Sequence, residues 1–200
     1  MTSLAWWLSL TLFAASMTGS PGPNNVMLTA SGALYGYRRT LPHIFGIMAG
    51  GFVLFLSIAL GLGTLFERYP LIQQSLKVVG AVYLLYLAWK IASAPPPNLV
   101  ARDGARPLTT WQAAAFQFVN PKVWVMGIAL VAGFLPHEGP LVLNALVLAL
   151  VMESVAFFCI SFWAMFGMAI GRLLKTPRAW RIFNGAMGLA TAACVGFILS

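Results

Sequence analysis

Asparagine and proline residues interrupt two apolar stretches of this sequence, and both interruptions could hold a polar ligand. The first is Pro21-Gly22-Pro23-Asn24-Asn25 and the second is Asn120-Pro121-Lys122. Pro23 and Pro121 suit the first position of a helix, where the missing N–H would have no partner anyway. A helix start offers free N–H groups and a positive dipole end to an anion, and asparagine amides add donors and acceptors. This chemistry matches a zwitterionic amino acid.

Each interruption could also be a simple proline kink whose freed backbone groups bond to neighbouring helices. Paired interruptions in corresponding segments of two halves favour a different interpretation, because secondary transporters build their substrate sites from broken helices. The sequence therefore predicts one substrate-binding site. Its residues are Pro21, Gly22, Pro23, Asn24, Asn25, Asn120, Pro121 and Lys122.

Lys122 and Glu153 are charged residues expected deep within apolar segments. A cation in the first turn of a helix opposes the local dipole, and a buried charge is costly in a membrane. Counting along their segments puts both roughly 17–20 Å deep, near the centre of a layer of about 30 Å. The two residues could pair, with a substrate carboxylate or a proton competing for one partner, which makes Glu153 a proton-coupling candidate. Alternatively, Lys122 extends to the cytoplasmic surface and Glu153 hydrogen-bonds a neighbouring helix.

Composition identifies the elements that must position these residues. Of 200 residues, 60% are hydrophobic and 8% are charged, whereas soluble domains average about 25% charged. Apolar stretches of roughly 20 residues can cross a bilayer as helices. Six are predicted, at about 4–29, 41–66, 70–93, 111–134, 140–170 and 180–199. The expected fold is an all-α membrane protein in which helices 1 and 4 are broken at proline.

The polar segment 95–108 divides the chain into two groups of three helices, 1–94 and 109–200. Three helices in each half mean that the second half starts from the opposite side of the membrane. If the halves are duplicates, they are inverted repeats, as in many secondary transporters. We therefore expect two inverted three-helix repeats joined by a cytoplasmic linker.

Basic residues are concentrated in alternate connections between the predicted helices. Nine lie in the first, third and fifth connections, namely Arg38, Arg39, Lys90, Arg102, Arg106, Arg172, Lys175, Arg178 and Arg181. Two, Arg68 and Lys77, lie towards the other side. By the positive-inside rule, the nine are cytoplasmic and both termini lie outside a multi-pass protein of the cell (inner or plasma) membrane. The net charge of +8 thus reflects topology and not a nucleic-acid partner.

Other chemistry-bearing patterns are weak in this sequence. His43 and His137 lack metal-ligand spacing, and Cys159 and Cys194 fall within apolar segments. We therefore predict no metal, no cofactor and no enzymatic activity. The spacings Gly46-xxx-Gly50 and Gly167-xxx-Gly171 let membrane helices approach closely. They leave open whether this packing is internal or forms a homodimer.

Three motifs resemble those of a known family, in the family's order. Gly22-Pro23-Asn24 with Gly36-Tyr37-Arg38-Arg39 resembles the opening signature of the LysE/RhtB amino-acid exporter family. The run from Leu76 to Trp89 is similar to its third-helix pattern, and Gln117-Phe118-Val119-Asn120-Pro121-Lys122 is similar to its fourth-helix motif. The forms of the first and last motifs are most similar to the branch that exports cysteine and O-acetylserine.

The resemblance implies efflux of amino acids or close derivatives from the cytoplasm, driven by proton antiport. Membrane lipid and protons are then partners alongside the substrate. Gly19-Ser20 departs from the threonine-proline-glycine-proline run common in the family, and Glu153 belongs to no family pattern. The alternative functions are another small-solute transporter or a channel and, least favoured by the scarcity of acidic residues, an integral-membrane lipid enzyme.

Overall fold

The described part of the chain is helical, and none of its residues forms a strand. The computed structural model describes residues 3–62, 68–95, 106–136 and 138–195. Its helices are α1 Leu4–Gly19, α2 Pro23–Tyr35, α3 Tyr37–Ser57, α4 Pro70–Ala92, α5 Thr110–Gln117, α6 Pro121–Phe134, α7 Leu141–Leu173 and α8 Pro177–Ala193. A π-helical turn, Ile58–Leu62, continues α3. Most of the predicted linker 95–108 lies outside the described residues.

Several of these helices are long and apolar enough to cross a membrane. The segment Tyr37–Gly61 and the helix Leu141–Leu173 each qualify alone, and α5 with α6 qualifies as a pair bent by 62°. The 33 residues of α7 extend about 50 Å at 1.5 Å per residue, which exceeds a hydrocarbon layer of about 30 Å. The fold class is therefore an all-α protein with helices of membrane-spanning length. The six-helix inverted repeat stays a prediction.

Each sequence interruption separates two helices. The first helix pair is α1 and α2, with Pro23 in the first turn of α2. The second pair is α5 and α6, with Pro121 in the first turn of α6 and Asn120 as its N-cap. Pro23 and Pro121 therefore lie at helix starts, as the sequence predicted. Proline fits the first turn of a helix but ends a helix that precedes it.

The helix pairs pack crosswise between the two halves of the chain. The long helix α7 packs against both α1 and α2, whereas α3 packs against α5 and α6. The two long helices also pack against each other, and α4 packs against α8. Each broken pair is therefore supported by the long helix of the opposite half.

Glycines bring these crossed helices into close contact. Gly46 and Gly50 of α3 lie directly against the backbone of α5, and Gly167 and Gly171 of α7 lie against the backbone of α2. Helices approach this closely only where side chains are small. Both glycine motifs are thus used for packing within the chain, which decides the alternative that their spacing left open.

An apolar core connects α1, α3, α6 and α7 beside the breaks. Its fully buried members include Leu10, Leu54, Leu130 and Met152. Phe55, Val123 and Met126 also belong to this cluster, and they line the cavity described below. The core therefore supports the candidate site directly.

The crossed packing can be tested with a single methyl group. We expect Gly167→Ala to lower the stability by about 1–3 kcal/mol, because its Cβ would overlap the backbone at Thr29 and neither helix can yield cheaply. Gly133→Ala is the matched control, since no atom lies within 4 Å of its added Cβ. Thermal unfolding in detergent measures both variants, and equal melting temperatures would contradict the close α2–α7 contact.

Candidate functional site

Both helix breaks and Glu153 border one cavity. Its interior volume is about 40 Å³, which is room for a few water molecules. The predicted site residues that line it are Gly22, Asn24, Asn25, Asn120, Lys122 and Glu153. The three predicted prolines, Pro21, Pro23 and Pro121, shape the breaks but are not among its lining residues. The structure thus brings most of the predicted residues together.

The Lys122 side chain connects the two breaks. Its Nζ donates to the Ser20 carbonyl oxygen at 2.6 Å, to the Ser20 hydroxyl at 3.0 Å and to the Pro21 carbonyl oxygen at 3.3 Å. These carbonyls follow the C-terminal end of α1, where the helix dipole favours a cation. The negative C-terminal end of α1 therefore stabilises the positive charge of Lys122, which the positive start of α6 destabilises.

A direct pair between Lys122 and Glu153, as the sequence suggested, is not present in the structure. Among the described residues, no ion pair joins them, and the Lys122 ammonium is bonded to Ser20 and Pro21 instead. The alternative of Lys122 extending to the cytoplasmic surface stays a prediction. The two charged groups line one cavity without touching. The sequence could not predict this, because counting residues along a helix does not give the direction of a side chain around its axis.

A side-chain amide pair forms a second connection between the breaks. Asn24 Nδ2 donates to Gln117 Oε1 at 2.8 Å, and Gln117 Nε2 donates back to Asn24 Oδ1 at 3.4 Å. Gln117 Nε2 also donates to the Ala113 carbonyl oxygen at 2.7 Å, within its own helix. Gln117 is fully buried, whereas Asn24 is partly exposed to the cavity. Asn24 is therefore the member that a ligand could contact.

Asn25 and Asn120 use their amides to hold the breaks in shape. Asn25 Nδ2 donates to the carbonyl oxygens of Thr18 at 2.9 Å and Ser20 at 2.8 Å. Asn120 Oδ1 accepts from the Lys122 backbone N–H at 3.2 Å, as expected of an N-cap. Both side chains are buried. Their main role in this conformation is to satisfy backbone groups that the breaks expose.

The two half-helix starts differ in how much donor capacity they leave free. The start of α6 is capped by Asn120, whereas α2 begins at Gly22 without any side-chain cap. The first backbone bond within α2 runs from the Val26 N–H to the Gly22 carbonyl oxygen. The N–H groups of Asn24 and Asn25 therefore remain available at a positive helix end.

Glu153 is a buried carboxyl group without a bonding partner. It is 7% exposed and lines the cavity, and no hydrogen bond or ion pair links it to another described residue. Gly51 of α3 makes room for it, since a Cβ there would overlap the carboxyl group. An unpaired buried carboxylate is unfavourable unless a cation or a proton joins it. Because Glu153 lines the cavity, a cation or a proton could reach it from there.

Indole groups satisfy carbonyls at both breaks. Trp163 Nε1 donates to the Gly19 carbonyl oxygen at 3.1 Å, and Trp124 Nε1 donates to the Phe118 carbonyl oxygen at 2.8 Å. Backbone groups released by a broken helix need such partners in an apolar surrounding. Each break therefore has a tryptophan side chain that satisfies one of its carbonyl oxygens.

Sequence reasoning missed several residues of the site, chiefly Gln117, Thr18 and Gly51. Gln117 had a detectable signal, because it is a polar residue directly before the second break and within an apolar segment. Gly51 had none beyond the adjoining Gly50. No group of three or more His, Cys, Asp or Glu side chains comes together in the described ranges, so we assign no metal site.

Comparison with known proteins agrees with this architecture. Residues 15–199 match the family described as "LysE type translocator". The chain belongs to the LysE type translocator family. This confirms the family that the three sequence motifs indicated, and a transport function in a membrane accords with the apolar helices of the fold.

Curated LysE relatives match over most of this chain. The "Homoserine/homoserine lactone efflux protein" of Salmonella typhimurium is 27% identical over 92% of this chain and 90% of its own. The "Cysteine/O-acetylserine efflux protein" of Escherichia coli strain K12 is 32% identical over 86% of this chain and 85% of its own. No solved structure gives a significant match.

Removing the Lys122 ammonium should weaken the connection between the breaks. We expect Lys122→Met to lower stability by about 1.5–3 kcal/mol, because charge-assisted bonds to Ser20 and Pro21 are lost. Lys175→Met removes an exposed cation and should change stability by less than about 0.5 kcal/mol. Thermal unfolding in detergent measures both. Rescue of Lys122→Met by a second change, Glu153→Gln, would instead support the direct ion pair.

Proposed function

We propose that this protein exports small amino acids or close derivatives from the cytoplasm by proton antiport. The observation that carries this proposal is the single cavity that joins both helix breaks to Glu153. Secondary transporters hold polar substrates at broken helices near the middle of the membrane. The two curated relatives are both named as efflux proteins for amino acids or their derivatives.

The cavity offers separate partners for the two charges of an amino acid. The uncapped start of α2, at Asn24 and Asn25, suits the substrate carboxylate. Asn24 can contribute its amide by exchanging part of its bond with Gln117. The Glu153 carboxylate suits the substrate ammonium group, since it has no other described partner. The apolar part of the lining, which includes Ile47, suits a small uncharged side chain.

Competition at Glu153 would couple export to the proton gradient. A substrate ammonium and a proton each neutralise the buried carboxylate, so both cannot bind it at once. From the outside, a proton displaces the ammonium and promotes release. On the cytoplasmic side, loss of the proton allows the next substrate to bind. Intramembrane carboxyl groups commonly serve in such relays.

Reciprocal packing supports an inverted repeat as the frame for this cycle. The first broken pair packs on the long helix of the second half, and the second broken pair packs on the long helix of the first half. Two related halves would produce this exchange of partners, with 1–94 and 109–200 as the repeats. With the basic connections cytoplasmic, both termini lie outside the inner or plasma membrane.

The proposed substrate contact can be tested by export from cells. Overexpression should raise the concentration of one or more small amino acids in the medium, and Asn24→Ala should reduce this rise by roughly ten-fold, about 1.4 kcal/mol of binding. Asn144→Ala serves as a control, because the side-chain amide of Asn144 donates to the backbone carbonyl oxygen of Glu138, in the connection before α7. Amino-acid analysis of the medium, normalised to protein in the membrane, gives the result. Undiminished export by Asn24→Ala would indicate that the first break is a structural kink and not part of the substrate site.

The proton role of Glu153 predicts a separable defect. Glu153→Gln cannot exchange a proton, so net efflux should lose its dependence on the proton gradient while exchange of substrate across vesicles remains measurable. Glu138→Gln alters an exposed carboxylate and should leave the dependence intact. Uptake and efflux in vesicles across a pH range compare the two variants. Normal gradient dependence in Glu153→Gln would assign the coupling to another group.

A further inference from the structure

A second cavity lies at the opposite end of α2 from the break. It lies between α2, α3, α4 and the segment before α5, has an interior volume of about 80 Å³ and is open to the outside. Its walls are largely apolar and include Leu34, Leu87, Ile91 and Leu108. Nothing in the transport cycle above uses this cavity.

A buried histidine in this second cavity lacks hydrogen-bond partners. His43 is 2% exposed and lines the cavity, and neither Nδ1 nor Nε2 has a partner. The nearby hydroxyls of Ser31 and Thr40 bond to each other at 2.9 Å. An imidazole always carries at least one N–H donor, and buried polar groups in proteins are seldom left unsatisfied. The ring is therefore placed to bond a ligand that carries a hydroxyl group.

The charged groups of this cavity select an anion. Lys90 and Arg106 are both exposed and line it, and none of its described lining residues is acidic. A zwitterionic amino acid would leave its ammonium group without a partner among these side chains. The first cavity differs, since it contains Glu153. The two cavities therefore suit different ligands.

Aromatic residues beside this cavity are of the kind that is common at the level of lipid headgroups. On α4, Trp89 is 65% exposed and Tyr86 is 49% exposed. Lys90 Nζ lies 5.7 Å from the centroid of the Tyr86 ring. Exposed Trp and Tyr side chains concentrate at the membrane–water interface, and basic cavities between helices on the cytoplasmic side bind anionic headgroups.

We propose that the second cavity binds the headgroup of an anionic phospholipid of the phosphatidylglycerol type. The phosphate lies at Lys90 and Arg106, a glycerol hydroxyl bonds to His43, and the apolar walls contact the start of the acyl chains. One helix, α2, carries Asn24 near one end and Tyr35 at the other. A bound lipid therefore restrains the helix that borders the transport cavity. This assignment does not depend on the transported substrate.

Native mass spectrometry of the full chain in detergent tests the lipid site. Phosphatidylglycerol, phosphatidylcholine and phosphatidic acid are supplied in equal amounts. We expect phosphatidylglycerol to be retained over phosphatidylcholine, and Arg106→Gln to reduce this retention about five-fold, the effect of one basic residue near an anionic surface. Arg178→Gln, an exposed cation at the start of α8, should retain the lipid as the wild type does.

A second variant isolates the hydroxyl contact. His43→Leu replaces an unpartnered ring with an apolar group of similar size, and it should abolish the preference for phosphatidylglycerol over phosphatidic acid, which lacks the glycerol hydroxyls. Equal retention of all three lipids by the wild type would overturn the proposal. So would equal losses in Arg106→Gln and Arg178→Gln, or displacement of the lipid by glycerol 1-phosphate at comparable concentration, which would indicate a soluble anion as the ligand.

Discussion

Backbone groups released by a broken helix need partners where water is scarce, and the rest of this structure depends on how that need is met. Some partners come from the same break or from α7, and others come from the opposite break. Lys122, at the start of α6, donates to the carbonyls of Ser20 and Pro21, and Gln117, at the end of α5, bonds to Asn24. Each break is therefore stabilised in part by the other. The cavity exists because these mutual bonds hold four helix ends around one space.

The polar groups around the cavity fall into two sets, those that have hydrogen-bond partners within the described residues and those that have none. Asn25, Asn120 and Lys122 bond to backbone atoms, so they maintain the geometry. The Glu153 carboxyl group and the N–H groups at the uncapped start of α2 have no such hydrogen bonds to described residues. Such groups are available to a ligand, and a buried carboxylate that loses one ligand needs another cation or a proton in its place.

Local chemistry determined which features could be predicted from the sequence. Proline fixes where a helix begins, so both breaks and the Asn120 cap were predictable from their own neighbours. The partner of Lys122 was not, because Ser20 lies 102 residues away and counting residues gives depth but not direction around the helix axis. The bond between Gln117 and Asn24 was unpredictable for the same reason, since 93 residues separate them, although the position of Gln117 before the second break was itself a signal. The Gly167 motif was recognised, whereas only the structure shows that it faces α2.

The crossed glycine contacts also bear on how the chain is assembled during synthesis. The glycines of α3 gain their packing partner only after α5 has been synthesised. In the same way, α2 gains its partner only after the glycines of α7 have been synthesised. The N-terminal half thus emerges from the ribosome with its closest packing surfaces unoccupied. These contacts are completed only once α7 has been synthesised. Truncation before Gly167 would consequently leave the backbone of α2 without its closest packing partner.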